Sequence, residues 1–102
     1  MNISLELQHN LIRLILENSS LFKDFNQILL FGSVIKESTC PHDIDLLLIY
    51  SIYNDRIIEN ANLILSLLEQ ELFLPVDLTI LSREEVLNTQ FLSRIHHYVV
   101  LK

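Results

Sequence analysis

Helical spacing of apolar residues characterises two stretches of the chain. Between Ile3 and Asn18, and again between Asp55 and Leu72, apolar residues recur three or four positions apart. The recurring residues are Leu7, Leu11, Leu14 and Ile15 in the first stretch and Ile57, Ala61, Ile64, Leu68 and Leu72 in the second. This spacing places each set on one side of a helix, where it can pack against a sheet. We expect the first helix to close at the turn-prone Asn18-Ser19-Ser20, and the second to end before Pro75.

Shorter apolar segments predict strands. The runs from Asn26 to Phe31 and from Ile44 to Tyr50 are dense in Leu and Ile, and their lengths suit buried strands. The segment from Val76 to Leu81 alternates between two faces, with Val76, Leu78 and Ile80 on one and Asp77, Thr79 and Leu81 on the other. The β-branched and aromatic tail from Tyr98 to Leu101 predicts a last strand at the edge of the sheet.

A further helix is predicted between the last two strands. Ser82-Arg83-Glu84-Glu85 has the pattern of a capping box, in which the side chains of Ser82 and Glu85 satisfy free amides at a helix start. We expect this helix to continue to about Ile95. The resulting order of helices and strands predicts an α/β fold, with a small mixed sheet and helices packed against it.

The composition predicts one folded domain spanning residues 1–102. Half of the 102 residues are apolar, and one Gly and two Pro leave little material for flexible linkers. The longest apolar runs fall far short of the ~20 residues that a membrane helix needs. The first residues lack the basic start and cleavage site of a secretory signal, and Cys40 has no second cysteine to pair with. We therefore expect a cytoplasmic protein without a membrane span.

The charge balance narrows the range of ligands. Thirteen acidic residues against seven basic ones give a formal charge of -6, which argues against direct DNA binding through many phosphate contacts. A nucleotide complexed with a metal ion remains compatible, because the cation brings its own positive charge. The apolar fraction is also high for so small a domain, which predicts a surface that meets a partner.

Three aspartates are the candidate metal ligands. Asp43 and Asp45 lie two apart at the start of a strand, so their side chains leave the same face and repel each other unless a cation lies between them. Hard oxygen ligands favour Mg²⁺, or Mn²⁺, over zinc. Taken alone, such a pair is more often a cap or a solvated face than a metal site. Asp77 is an isolated charge in an otherwise apolar strand, and we expect it to need a partner.

The turn after the first strand is the candidate phosphate contact. Phe31-Gly32-Ser33 ends that strand with a Gly that allows backbone amides to approach a ligand and a Ser that offers a hydroxyl. Cys40 and His42 supply at most two zinc ligands, so we interpret them as loop residues. We interpret His96-His97 as surface residues.

The segments Leu29 to Ser33 and Asp43 to Leu48 resemble the minimal nucleotidyltransferases of the polymerase beta superfamily. The resemblance implies that Asp43, Asp45 and Asp77 are catalytic and metal-binding residues. It also implies one or two magnesium ions, ATP as the nucleotide triphosphate substrate, and transfer of AMP to a hydroxyl. Small members of this family are often antitoxins paired with a helical HEPN-domain toxin, so the resemblance further implies transfer onto such a partner.

The chain departs from the family pattern after Ser33. An Arg-Gly pair usually follows the Gly-Ser corner, whereas Val34-Ile35-Lys36-Glu37 stands here, and Lys36 is the remaining candidate for nucleotide binding beside Gly32 and Ser33. A lysine is a flexible point charge and cannot replace the planar fork of an arginine. The alternative hypothesis is therefore a weak or inactive nucleotidyltransferase fold that neutralises a toxin by direct contact.

Overall fold

The computed structural model describes residues 3–32 and 43–102. In chain order the elements are α1 (Ile3–Glu17), α2 (Ser19–Phe22), β1 (Gln27–Phe31), β2 (Ile44–Tyr50), α3 (Arg56–Leu72), β3 (Val76–Ser82), α4 (Arg83–Thr89), α5 (Phe91–Ile95) and β4 (Tyr98–Val100). Every strand and long helix predicted from the apolar pattern is present, with ends shifted by one residue at most.

The described strands form one mixed sheet in the order β3-β2-β1-β4. Strands β2 and β3 are parallel and are joined through α3, whereas β1 pairs antiparallel with both β2 and β4. Two parallel strands need such a crossover, because the chain must return to the same end of the sheet before the second strand begins. The predicted α/β fold with a small mixed sheet is confirmed, and so is the edge position of the last strand.

The two faces of the sheet bury different sets of residues. One face carries even-numbered β2 residues such as Leu46 and Leu48, which pack with the inner stripes of α1 and α3 into the larger core. The opposite face buries a smaller cluster of Leu29, Leu47, Ile49 and Val86. The predicted alternation of β3 is confirmed, because Leu78 and Ile80 pack on the larger core and Leu81 on the smaller one.

The first helix closes where predicted, with α1 ending at Glu17 and a turn at Asn18, but Ser19 and Ser20 then begin the short helix α2, which the sequence did not predict. The local sequence is turn-prone, but Phe22 and Phe25 are 1 % and 0 % exposed. Burial of two aromatic side chains is worth several kcal/mol, on the order of 1.5–3 kcal/mol each, and it outweighs the weak local preference of two serines.

The single helix predicted from Ser82 to about Ile95 is two helices. Residue Gln90 adopts a left-handed conformation with φ of 53°, which ends α4 and turns the chain into α5. The predicted capping box at Ser82 and Glu85 is confirmed. Across the helices of the described residues, none combines the length and the apolar character needed to cross a membrane.

Candidate metal and nucleotide site

The strand register brings two of the predicted ligands opposite each other. Asp45 on β2 is the direct partner of Asp77 on the parallel strand β3, and it also pairs with Phe31 on the antiparallel strand β1. Directly paired residues point to the same face of a sheet. Asp43 precedes Asp45 by two residues and shares its face. The three carboxylates therefore lie on the face that carries the smaller core.

The three aspartates form one compact cluster. Asp43, Asp45 and Asp77 each offer a carboxylate oxygen, and these oxygens lie within 4.8 Å of one another. The spacing allows one cation to contact all three residues. The donor set consists of hard oxygens, which fits Mg²⁺ or Mn²⁺ and not a tetrahedral zinc site.

The electrostatics of the cluster also favour a bound cation. Burial raises the pKa of Asp45, and the neighbouring charges of Asp43 and Asp77 raise it further. Relative to an ordinary aspartate, Asp45 is therefore harder to ionise in the metal-free protein. Within residues 3–32 and 43–102 no Lys, Arg or His forms an ion pair with these aspartates. A divalent cation would relieve the repulsion that the described side chains leave uncompensated.

Gly32 makes room for the carboxylate of Asp45. It adopts a φ of 84°, and a Cβ at this position would collide with Oδ2 of Asp45 and lie 3.0 Å from its Cγ. A side chain is therefore excluded by the backbone conformation and by the neighbouring aspartate together. The sequence predicted a Gly that admits a ligand, and the structure adds a contact with one of the predicted metal ligands.

The predicted site residues fall into two groups. Asp43, Asp45, Asp77 and Gly32 are described and meet at one end of the sheet. The other candidates, Ser33 and Lys36 at the phosphate corner and Cys40 and His42 in the loop, lie outside the described residues.

The reason given for Asp77 is wrong, although its place in the cluster is as predicted. Asp77 is exposed, so it does not need a partner to offset burial. Strand β3 is at the edge of the sheet, and Asp77 is the second residue of this strand, on the smaller-core face. Its register opposite Asp45, and not its burial, brings it to the site.

Sequence reasoning missed the aromatic residues that border the cluster. Phe31 packs edge-on against Phe91 of α5, with 5.6 Å between ring centroids and 87° between ring planes. Phe31 also pairs with Tyr98 of β4, which continues the same row across the sheet. The alternation of β1 could have placed Phe31 on the face of Asp45, but Phe91 and Tyr98 depend on how the C-terminal segment returns to the sheet.

Comparison with known proteins identifies the domain. A search of curated proteins and a search of solved structures each found no significant match. The family model described as "Polymerase beta, Nucleotidyltransferase" matches residues 7–96, a range that includes β1, β2 and β3 with the whole carboxylate cluster. With most of its length matched by that model, the chain belongs to the polymerase beta nucleotidyltransferase family and carries a transferase domain of that type.

Proposed function

We propose that this protein is a Mg²⁺-dependent nucleotidyltransferase that moves AMP from ATP to a hydroxyl of a partner protein. In this proposal the protein is the minimal nucleotidyltransferase antitoxin of a pair, and a helical HEPN-domain toxin is the partner. The observation that carries it is the cluster of Asp43, Asp45 and Asp77, whose oxygens lie within 4.8 Å of one another.

The roles of the three aspartates follow from their places in the sheet. Asp43 and Asp45 would hold the metal and the nucleotide, since both are half-buried, Asp45 on the inner strand β2 and Asp43 directly before that strand begins. Gly32 keeps the Asp45 carboxylate in place by leaving it space. A bound Mg²⁺ would supply Lewis-acid stabilisation of the charge on the phosphates.

Asp77 is suited to the acceptor side of the reaction. It is exposed on an edge strand, where a hydroxyl of a second protein can approach it. Attack of that hydroxyl oxygen on the α-phosphorus forms one P–O bond and breaks the bond to the β-phosphate. Pyrophosphate would leave with the bonding electron pair, and the Asp77 carboxylate would accept the proton of the hydroxyl.

A protein acceptor is supported by the surface of the domain. Several large apolar side chains are exposed, among them Leu16, Phe73 and Leu87. Apolar side chains of this kind contribute most to the buried centre of a protein interface.

The test is transfer of label from α-labelled ATP to the HEPN-domain partner that the proposal names. We expect Mg²⁺-dependent labelling of the partner, reduced at least ~10²-fold by Asp43→Asn or Asp45→Asn, because each change removes charge stabilisation of the transition state. Asp24→Asn is the matched control, since Asp24 pairs with Arg56 away from the cluster. Absence of labelling with the wild-type protein contradicts the proposal.

The second candidate function is a binding module that neutralises the toxin by contact alone. It is favoured by Val34-Ile35-Lys36-Glu37, which stands where family members usually carry Arg-Gly. The two functions differ in cells that express the toxin. Asp43→Asn abolishes protection if transfer is required, and it leaves protection intact if contact suffices.

A further inference from the structure

One row of side chains crosses all four strands at the candidate site. Asp77, Asp45, Phe31 and Tyr98 are direct partners in successive pairs of strands, so all four point to the same face of the sheet. The row changes from carboxylates over β3 and β2 to aromatic rings over β1 and β4. The metal-binding half and the aromatic half are therefore continuous.

The face is open over β4 but closed over β1 and β2 at the positions of Leu29 and Leu47. Leu29 on β1 and Leu47 on β2 are 1 % and 0 % exposed beneath the smaller core, whereas Tyr98 and Val100 are 39 % and 53 % exposed on the same face. Residues Val99 and Leu101, which point the other way, pack against the larger core. Tyr98 and Val100 thus form an apolar ledge, bordered by the paired rings of Phe31 and Phe91.

We propose that this ledge binds the base of the nucleotide, with Tyr98 as the stacking residue. The inference rests on the proposed function, because the phosphates must be held at the aspartates for the base to reach the ledge. Neighbouring strands are about 4.8 Å apart, which puts Tyr98 roughly 10 Å from Asp45 along the row. That span is comparable to the combined reach of a metal ion held by Asp45, an α-phosphate on that ion, and the ribose that joins the phosphate to the base.

The direction of the nucleotide follows from which parts of this face are covered. From Asp45 along β2, the face is closed by the buried Leu47 and Ile49. Beyond Asp77 the described sheet ends, because β3 is its edge strand. Among the described residues, the route past the half-buried Phe31 to the exposed Tyr98 is the one that offers an apolar surface to a flat ring. Aromatic side chains bind bases by stacking, with little dependence on which base is present.

A fluorescence experiment tests this directly because the chain contains no Trp. Tyr98→Trp places a single indole on the ledge, and we expect its emission to be quenched by Mg·ATP but not by Mg·tripolyphosphate. Tyr53→Trp is the matched control, since Tyr53 is 59 % exposed and follows the opposite end of β2. Equal responses of the two variants to Mg·ATP overturn the inference.

Calorimetric titration of protein without an introduced Trp supplies the second measurement. We expect Tyr98→Leu to weaken Mg·ATP binding about 10-fold, in the range of one stacked base, and to leave Mg·tripolyphosphate binding unchanged. Tyr98→Phe should retain the wild-type affinity, because the ring remains. A thermal melt of each variant establishes that the fold is intact.

The outcomes separate this inference from the proposed function. If wild-type protein binds tripolyphosphate as tightly as ATP, or if Tyr98→Leu weakens both equally, the base site is overturned while the metal and phosphate site stands. If Tyr98→Leu spares ATP binding and instead abolishes binding of the partner protein, the ledge is a protein interface and the inference fails. If the wild-type protein binds neither ligand with Mg²⁺, both the inference and the proposed function fail.

Discussion

The two ends of the sheet use polar residues in opposite ways. At the far end, where β2 finishes, polar groups satisfy each other: Ser51 Oγ donates to Asn26 Oδ1 at 2.7 Å, and Arg56 Nε donates to Asp24 Oδ2 at 3.3 Å. At the site end, Asp43, Asp45 and Asp77 face one another with like charges. The far end is complete without a ligand, whereas the site end carries an electrostatic cost that a cation removes.

The largest effect we expect is stabilisation of the site end by Mg²⁺. At a free concentration 100 times its dissociation constant, a ligand that binds only the folded state adds about 2.7 kcal/mol. For a domain of this size each kcal/mol raises the melting temperature by about 4–8 °C. Thermal unfolding with and without Mg²⁺ measures the shift.

Two aspartate variants test whether the rise in melting temperature comes from Mg²⁺ bound at the site end of the sheet. Asp45→Asn should lose the Mg²⁺ response, since it removes a ligand from the half-buried part of the cluster. Asp24→Asn should keep it, because Asp24 belongs to the ion pair at the far end. A shift of equal size in both variants would place the metal elsewhere.

The next effect concerns Gly32, the glycine that contacts the cluster. Gly32→Ala should destabilise the protein by about 1–2 kcal/mol through the positive φ alone, with a further cost from the collision with Asp45. The two contributions separate in a double-mutant cycle with Asp45→Ala, followed by urea unfolding. The alanine at position 32 should cost less when Asp45 is already truncated, and an unchanged cost would show that the two residues are not coupled.

The sequence predicted the site better than it predicted the connections around it. Alternation in β3 placed Asp77 on one face correctly, because one face of the strand packs on a core and fixes the register. The break at Gln90 carries no local signal, since a φ of 53° is uncommon for a residue other than glycine and nothing in the neighbouring sequence indicates it. Here Phe91 packs against Phe31, a contact between residues far apart in the chain.

A smaller effect is expected from the helix cap at the far end. The backbone N–H of Glu85 donates to Ser82 Oγ at 3.1 Å, and the backbone N–H of Ser82 donates to Glu85 Oε1 at 2.9 Å. Ser82→Ala removes the first of these bonds and should cost about 1 kcal/mol in the free energy of unfolding. Nucleotide and Mg²⁺ affinities should not change, because Ser82 pairs with Tyr50 at the opposite end of β2 from the aspartates. A loss of nucleotide affinity in Ser82→Ala would show that the two ends are not independent.

The smallest effect we expect is the pH dependence of stability, which should have opposite signs at the two ends of the sheet. Hydrogen bonds from the backbone and side chain of Ser82 lower the pKa of Glu85, and its bond with Tyr50 adds to this. Ionised Glu85 therefore stabilises the fold above the ordinary carboxyl pKa, and this contribution is lost as the pH falls through the lowered value. Burial and the two neighbouring aspartates raise the pKa of Asp45, so protonated Asp45 favours the fold at low pH and this contribution is lost as the pH rises through the raised value.

Two variants test these opposite pH dependences. The measurement is the free energy of unfolding in urea as a function of pH, with metal ions chelated. Asp45→Asn should be more stable than the wild type at neutral pH, with a gain that disappears below a pH of about 4, where the wild-type carboxyl is also neutral. Glu85→Gln should be less stable at neutral pH, with a deficit that closes in acid. If both variants deviate in the same direction, the cluster of aspartates carries no uncompensated charge. A cation would then have nothing to relieve at the site end, and the contrast with the far end would be lost.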